Sequence, residues 1–209
     1  MAYSSFTKLK KVVNLFSIKV ESENLFENEA IKPIPPSEWL KETIEKGMLM
    51  GYESEKERSE RLVSPILAEL LFLNERQITI YSGHDLDVDK SIGLNGETDY
   101  LFTLGKKPIS LIAAPLFSVV EAKRQDMEHG MAQCTAQMIG VIRYNEMDKI
   151  VLPHIYGATT DGDKWQFLRL KDNTLRIHER IFYLSDLPNL LGMFQLLIQD
   201  CRQFKILKY

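Results

Sequence analysis

A continuous apolar run that ends abruptly in charge is the feature that most constrains the fold. Residues 116–120 are apolar except for Ser118, and Glu121-Ala122-Lys123 follows directly. A segment that is apolar at successive positions is typical of a strand covered on both faces. We therefore expect a central strand in a layered fold, with a polar tip formed by Glu121 and Lys123.

The patterns on either side of this strand predict further strands and several helices. Helical patterns cover 37–51, 54–73, 130–143 and 185–204, and strand patterns cover 78–81, 98–104, 150–156, 165–170 and 174–183. Strands and helices are interspersed along the chain, which indicates an α/β (α+β) fold class, a mixed β-sheet flanked by helices.

Three prolines near the amino terminus suggest where the main domain begins. Pro33, Pro35 and Pro36 remove backbone donors and favour extended neighbours, so residues 30–36 are expected to form a connector. We assign residues 1–52 to an N-terminal extension with this proline-rich connector and a short helix. The remaining residues, 53–209, are long enough to form one domain with its own core.

Composition excludes several classes of protein. With 44% hydrophobic and 26% charged residues, the chain resembles an ordinary globular protein rather than a disordered or fibrous one. A net charge of −3 means that any contact with nucleic acid must be local. Cys134 and Cys201 are too few for a disulfide framework, and no segment has the pattern of an export signal or a membrane span. A cytoplasmic protein without a membrane partner is expected.

The strongest candidates for functional residues are two acids and a lysine. Glu121 and Lys123 are two apart on a strand, so both side chains point to the same face. A carboxylate there can hold a hard divalent cation, and the ammonium can orient an attacking water. Asp99 lies on the preceding predicted strand, and antiparallel pairing would bring it to the same cation.

Further motifs accompany these residues in a defined order. An acidic helical segment covers 54–67, Gly96-x-x-Asp99-Tyr100 precedes Val119-Val120-Glu121-Ala122-Lys123, and Gln133-x-x-x-Gln137 and 159–165 follow. In this order the motifs resemble the PD-(D/E)XK nuclease superfamily, whose fold is called restriction-endonuclease-like. The first helix and the hairpin at 159–165 are similar to those of type I restriction enzyme nuclease domains, and the glutamine motif is similar to that of RecB-type relatives.

This resemblance implies a nuclease with a magnesium site, at which manganese can substitute. It implies catalytic roles for Asp99, Glu121, Lys123, Glu60, Gln133 and Gln137, and metal ligation by Asp99, Glu121 and the backbone carbonyl of Ala122. The sequence departs from the family pattern at Thr98, where the signature has proline, and at Gln137, where the helix motif has tyrosine. Neither departure removes a metal ligand.

Structural roles remain open for each of these residues. A salt bridge between Glu121 and Lys123 would satisfy the buried carboxylate without any catalysis, and Asp99 alone is compatible with a turn. Any of Glu55, Glu60 and Glu69 can be the helix acid that faces the metal, and Glu60 is preferred. Gln133 and Gln137 share one helix face, which suits a wall beside a phosphate and a helix–sheet contact about equally.

Two functions follow from these alternatives. The first is magnesium-dependent hydrolysis of nucleic acid, with DNA as the expected partner, by an endonuclease of restriction/defence or repair type. Phosphate contacts are expected from Arg58, Arg61, Arg124 and Arg143. The second is a catalytically silent module that keeps the nuclease fold for binding or regulation. A homodimer, or a subunit of a defence complex, suits an enzyme that cuts both strands.

Overall fold

A computed structural model describes residues 2–26, 30–108, 110–123, 126–204 and 207–208. The helices are α1 (Leu9–Leu15), α2 (Glu38–Leu49), α3 (Glu55–Arg58), α4 (Ser64–Leu73), α5 (Met127–Met147) and α6 (Leu187–Arg202). The strands are β1 (Lys19–Glu23), β2 (Ile78–Asp85), β3 (Glu97–Leu104), β4 (Leu116–Ala122), β5 (Ile150–Val151), β6 (Ile155–Thr160), β7 (Lys164–Lys171), β8 (Thr174–His178), β9 (Phe182–Tyr183) and β10 (Leu207–Lys208). Within the described residues, no helix has the length and apolar composition needed to cross a bilayer.

Most of the strands form one mixed sheet of eight strands. Their order is β1-β8-β7-β6-β4-β3-β2, and β9 pairs with β7. The pairs β4–β6 and β1–β8 are parallel, whereas the other neighbours in the sheet are antiparallel. The α/β fold class predicted from the sequence, a mixed sheet flanked by helices, is therefore confirmed.

The apolar run before Glu121 forms the central strand that the sequence predicts. Strand β4 lies between β3 and β6, and each of its residues is buried. Helices α2, α4 and α6 cover one face of the sheet, where Phe102, Trp165 and Phe194 are buried. Helices α1 and α5 cover the other face, where Val119 and Met138 are buried.

Glycine permits the close approach of helix α5 to strand β6. A Cβ atom on Gly157 would lie 2.6 Å from Sδ of Met138 and 2.8 Å from Sγ of Cys134. These distances are shorter than van der Waals contact, so only a residue without a Cβ fits here. The helix consequently lies directly over the strands that carry the predicted site.

Residues before position 53 contribute to the same sheet and the same cores. Strand β1 extends the sheet by pairing with β8, and Arg169 forms an ion pair with Glu23 at 2.7 Å. Tyr3 and Val12 are buried on the α5 side of the sheet, and Leu40 is buried on the other side. The division of the chain at residue 52 stays a prediction, but both segments share one continuous sheet.

The helical segment predicted at 54–73 contains an irregularity that positions it over the sheet. Ser54 begins it with a capping box, in which Ser54 and Glu57 each accept a hydrogen bond from the other's backbone N–H. A π-helical turn, Ser59–Val63, then separates α3 from α4. The Ser59 hydroxyl lies 2.7 Å from the Tyr100 hydroxyl, which ties this turn to strand β3.

Candidate active site

Antiparallel pairing of β3 with β4 brings Asp99 and Glu121 together. Tyr100 lies opposite Val120, so one further step along each strand places Asp99 opposite Glu121. Opposite residues of an antiparallel pair point to the same face. Asp99 also contacts the next residue of β4, because its Oδ2 accepts a hydrogen bond of 2.7 Å from the Ala122 N–H.

Glu121 is fully buried and has polar partners on both carboxylate oxygens. Nζ of Lys123 lies 2.9 Å from Oε1, and Nε2 of Gln137 donates a hydrogen bond of 2.7 Å to Oε2. Lys123 therefore lies on the same face of the strand end as Glu121, as the two-residue spacing predicts.

Burial and mutual repulsion disfavour the charges on the two acids. Burial, and next the charge of Asp99, raise the pKa of Glu121 from 4.5 to about 8. Burial also raises the pKa of Asp99 above its ordinary value. Burial by itself lowers the pKa of Lys123, but the charges of Glu121 and Asp99 outweigh it and hold that pKa above its ordinary value. A second cation near the two acids would relieve this repulsion.

The donor set suits a hard divalent cation. Asp99 and Glu121 offer carboxylate oxygens. Gln137, which contacts Glu121, and Thr159, which lies opposite Glu121 on β6, each have a buried oxygen without a hydrogen-bond partner among the described residues. Such unpartnered buried atoms call for a water or an ion. Within the described residues, however, no three His, Cys, Asp or Glu side chains are grouped to hold a metal. Backbone, water or phosphate oxygens would have to complete the coordination, as is usual for Mg²⁺.

A cavity of about 520 Å³, which we call the carboxylate cavity, opens beside Asp99. Ala122 lines it next to Asp99, and Tyr100 and Ser82 form its wall on the sheet. Helix α3 and the π-helical turn supply its opposite wall through Glu55, Ser59 and Glu60. Of the predicted metal ligands, Asp99 and Ala122 thus border this open space, whereas Glu121 is buried behind them.

The three candidate helix acids have different positions. The Glu55 carboxylate lies 3.0 Å from Nζ of Lys123, so Glu55 is in direct contact with the site. Glu60 lines the carboxylate cavity, but its side chain is 61% exposed and lies 3.8 Å from Lys56. Its catalytic role stays a prediction. The capping box at Ser54 is the sequence signal that identifies Glu55 as the first helical residue, close to the strand ends.

Glu69 has a structural role instead. Its carboxylate accepts hydrogen bonds of 2.8 Å from the backbone N–H and from the hydroxyl of Ser37. Ser37 is the N-cap of α2, as the sequence predicts, and its hydroxyl accepts from the Leu40 N–H. Glu69 therefore stabilises the start of α2 and is committed to that contact.

The glutamine motif lies on α5 facing the sheet. Gln137 contacts Glu121 rather than solvent, and Gln133 is buried on the same side of the helix. Of the two roles that the sequence left open, the contact between helix and sheet describes Gln137. Gln137 thereby orients one oxygen of Glu121.

The arginines expected to bind phosphate are mostly engaged elsewhere. Arg58 donates to the Asp161 carbonyl and the Asp163 carboxylate, at 2.8 and 3.1 Å. Arg61 donates to the backbone carbonyls of Met50 and Gly51 and to Glu57. Arg143 forms an ion pair with Glu146, and Arg124 lies outside the described residues. Arg58 and Arg61 therefore connect elements of the fold, and their expected contacts with phosphate stay a prediction.

Comparison with known proteins adds no relative. No family model matches the chain, and no curated protein matches its sequence. The resemblance to PD-(D/E)XK nucleases therefore depends on the sequence motifs and stays a prediction.

Proposed function

We propose that the protein is a magnesium-dependent phosphodiesterase that cleaves nucleic acid, with DNA as its substrate, in the manner of a restriction/defence or repair endonuclease. The observation that carries this proposal is the convergence of Asp99, Glu121 and Lys123 at neighbouring strand ends, where Asp99 also lines a cavity. The resemblance to PD-(D/E)XK nucleases supports the same reaction.

Each residue has a defined task in this proposal. Asp99, Glu121 and the carbonyl of Ala122 would hold the cation. A Mg²⁺ ion bound there would lower the pKa of a water molecule and neutralise charge on the phosphate. Lys123 orients the attacking water on the same face, and Gln137 holds the Glu121 carboxylate in position through its 2.7 Å hydrogen bond. Glu55 positions Lys123 through their 3.0 Å contact.

A catalytically silent binding or regulatory module is the second candidate. The ammonium of Lys123 lies within 3.0 Å of both Glu121 and Glu55, so the buried carboxylate has a counter-charge without a metal. An ion pair of this kind stabilises a folded protein without any turnover.

Substitution of the three central residues tests the hydrolase. We expect Asp99→Asn, Glu121→Gln and Lys123→Met each to reduce nicking of supercoiled plasmid by at least about 100-fold in Mg²⁺ or Mn²⁺. Glu38→Gln is the matched control, because Glu38 is an exposed acid on α2. Wild-type activity in any two of the three variants would exclude this mechanism. Calorimetric binding of Mn²⁺ without cleavage of DNA or RNA would favour the silent module.

A further inference from the structure

A second cavity lies along the same edge of the sheet as the carboxylate cavity. It has a volume of about 280 Å³, and Ile78 and Ile80 of edge strand β2 line it. Ser82, which lines the carboxylate cavity, is on the same face of β2, because residues two apart on a strand share a face. The two cavities therefore lie in line along one face of β2.

Helix α4 contributes a residue to the lining of each cavity. Ser64 borders the carboxylate cavity and Leu71 borders the second cavity. These residues are seven apart on α4, which places them on one side of the helix. We call the two cavities, together with the surface of α4 and β2 that lies between them, the edge groove.

Three cations surround the far end of the edge groove. Arg76, Lys106 and Lys107 line the second cavity, and among the described residues none of them forms an ion pair with an acid. Arg58 and Arg61, by contrast, are both paired. Uncompensated cations in a protein of net charge −3 create a local positive field that attracts a polyanion.

The turn that carries the two lysines is held in place by hydrogen bonds. The Lys107 N–H donates to the Thr79 hydroxyl at 2.9 Å, and that hydroxyl donates to the Gly105 carbonyl at 2.9 Å. The turn is thus attached to edge strand β2. The backbone of the turn is therefore held at the end of the groove by contacts that do not involve the lysine side chains.

We propose that the edge groove is the track of one nucleic-acid strand, and that Arg76, Lys106 and Lys107 bind its backbone phosphates away from the cleaved bond. This inference rests on the proposed function, since the carboxylate cavity is taken as the place of cleavage. Five positions along β3 separate Asp99 from Leu104, or about 17 Å. A stacked strand rises about 3.4 Å per nucleotide, so the cations contact phosphates about five nucleotides from the cleaved one.

The salt dependence of binding tests this proposal. The probe is a fluorescein-labelled single-stranded oligothymidylate of about 20 nucleotides, longer than the track. Its binding is measured by anisotropy in EDTA between about 50 and 200 mM KCl. Each lost phosphate contact lowers the slope of log K against log salt by about 0.7, so Lys106→Ala/Lys107→Ala should reduce the slope by about 1.4.

The matched control removes an equal charge from the opposite side of the sheet. Lys10 and Lys11 are adjacent exposed lysines on α1 and form no ion pair within the described residues. Lys10→Ala/Lys11→Ala should keep the wild-type slope. Thermal unfolding of both double variants shows that each one is folded.

The outcomes separate this inference from the proposed function. The proposed track is wrong if Lys106→Ala/Lys107→Ala keeps the wild-type slope, or if Lys10→Ala/Lys11→Ala loses as much slope. If the wild-type protein nicks plasmid in that case, the proposed hydrolase is still supported. If the slope is reduced in Lys106→Ala/Lys107→Ala but the wild-type protein cleaves no nucleic acid, the track is supported and the hydrolase is excluded. A wild-type protein that neither binds the probe nor nicks plasmid overturns both.

Discussion

At the scale of single residues, Glu121 shows how burial and chemistry are coupled. A buried carboxylate costs several kcal/mol unless it is paired, and Lys123 and Gln137 provide the partners. These partners offset only part of the cost of burying the charge, because burial and the nearby Asp99 still raise the pKa of Glu121 to about 8. In the proposed function, a bound cation would favour the ionised form of Glu121.

This raised pKa predicts a pH-dependent stability. The folded protein holds the Glu121 proton more tightly than the unfolded chain, so the resulting stabilisation is complete below about pH 4.5 and is lost as the pH rises to about 8. Between about pH 6.5 and 8, we expect the free energy of unfolding to fall by up to about 1.4 kcal/mol per pH unit. Burial lowers the pKa of His178, so this residue changes the free energy of unfolding only at lower pH.

Urea denaturation at several pH values in EDTA measures this effect. Glu121→Gln should have a nearly flat profile in the same window, because the amide has no proton to lose. Mn²⁺ favours the ionised carboxylate, so it should bind more tightly to the wild-type protein at the higher pH. A wild-type profile as flat as that of Glu121→Gln would contradict the assignment of the raised pKa.

At the scale of elements, one buried acid connects two helices. Glu69 of α4 accepts hydrogen bonds from both the backbone N–H and the hydroxyl of Ser37, at the start of α2. The apolar pattern of α4 does not reveal this contact, because Glu69 and Ser37 belong to segments that meet only in the folded protein. The sequence left Glu69 as a possible metal-facing residue, whereas the packing of α2 on α4 gives it a structural role.

Substitution of Glu69 should therefore lower stability without affecting metal binding. Glu69→Ala leaves the Ser37 donors without their partner, and we expect a loss of about 1–3 kcal/mol in the free energy of unfolding. Urea denaturation measures the loss, and calorimetry with Mn²⁺ should give the wild-type affinity. Reduced Mn²⁺ affinity in a folded Glu69→Ala protein would instead place this acid at the metal site.

At the scale of the whole molecule, the amino-terminal segment completes the sheet. Strand β1 covers the edge of β8, and Tyr3, Phe6 and Val12 fill the core beneath α5. Burial of each large apolar side chain contributes about 1.5–3 kcal/mol, a substantial part of the roughly 5–15 kcal/mol that stabilises a domain. We therefore expect this segment and the strands that carry Asp99 and Glu121 to unfold together.

Deletion of residues 2–26 tests this dependence. The shortened protein exposes the edge of β8 and part of the α5-side core, so it should aggregate or unfold at a clearly lower temperature. Size-exclusion chromatography and thermal unfolding measure both effects. Cooperative unfolding at the wild-type temperature would show instead that the main domain folds independently of this segment.

The sequence by itself determined the central strand and the proximity of the acids. An apolar run predicts burial on both faces, and the two-residue period of strands places Glu121 beside Lys123 and, after antiparallel pairing, beside Asp99. These conclusions need only local periodicity and the pairing of neighbouring strands along the chain.

Only the tertiary structure decided the rest. Strand β1, with the sequence Lys19-Val20-Glu21-Ser22-Glu23, has no apolar alternation, and its ion pairs with Arg169 and Arg176 join residues far apart in the chain. The contact of Glu55 with Lys123 likewise depends on where α3 crosses the strand ends. Long-range contacts of this kind leave no periodic pattern in the sequence, because their partners are brought together by the packing of whole elements.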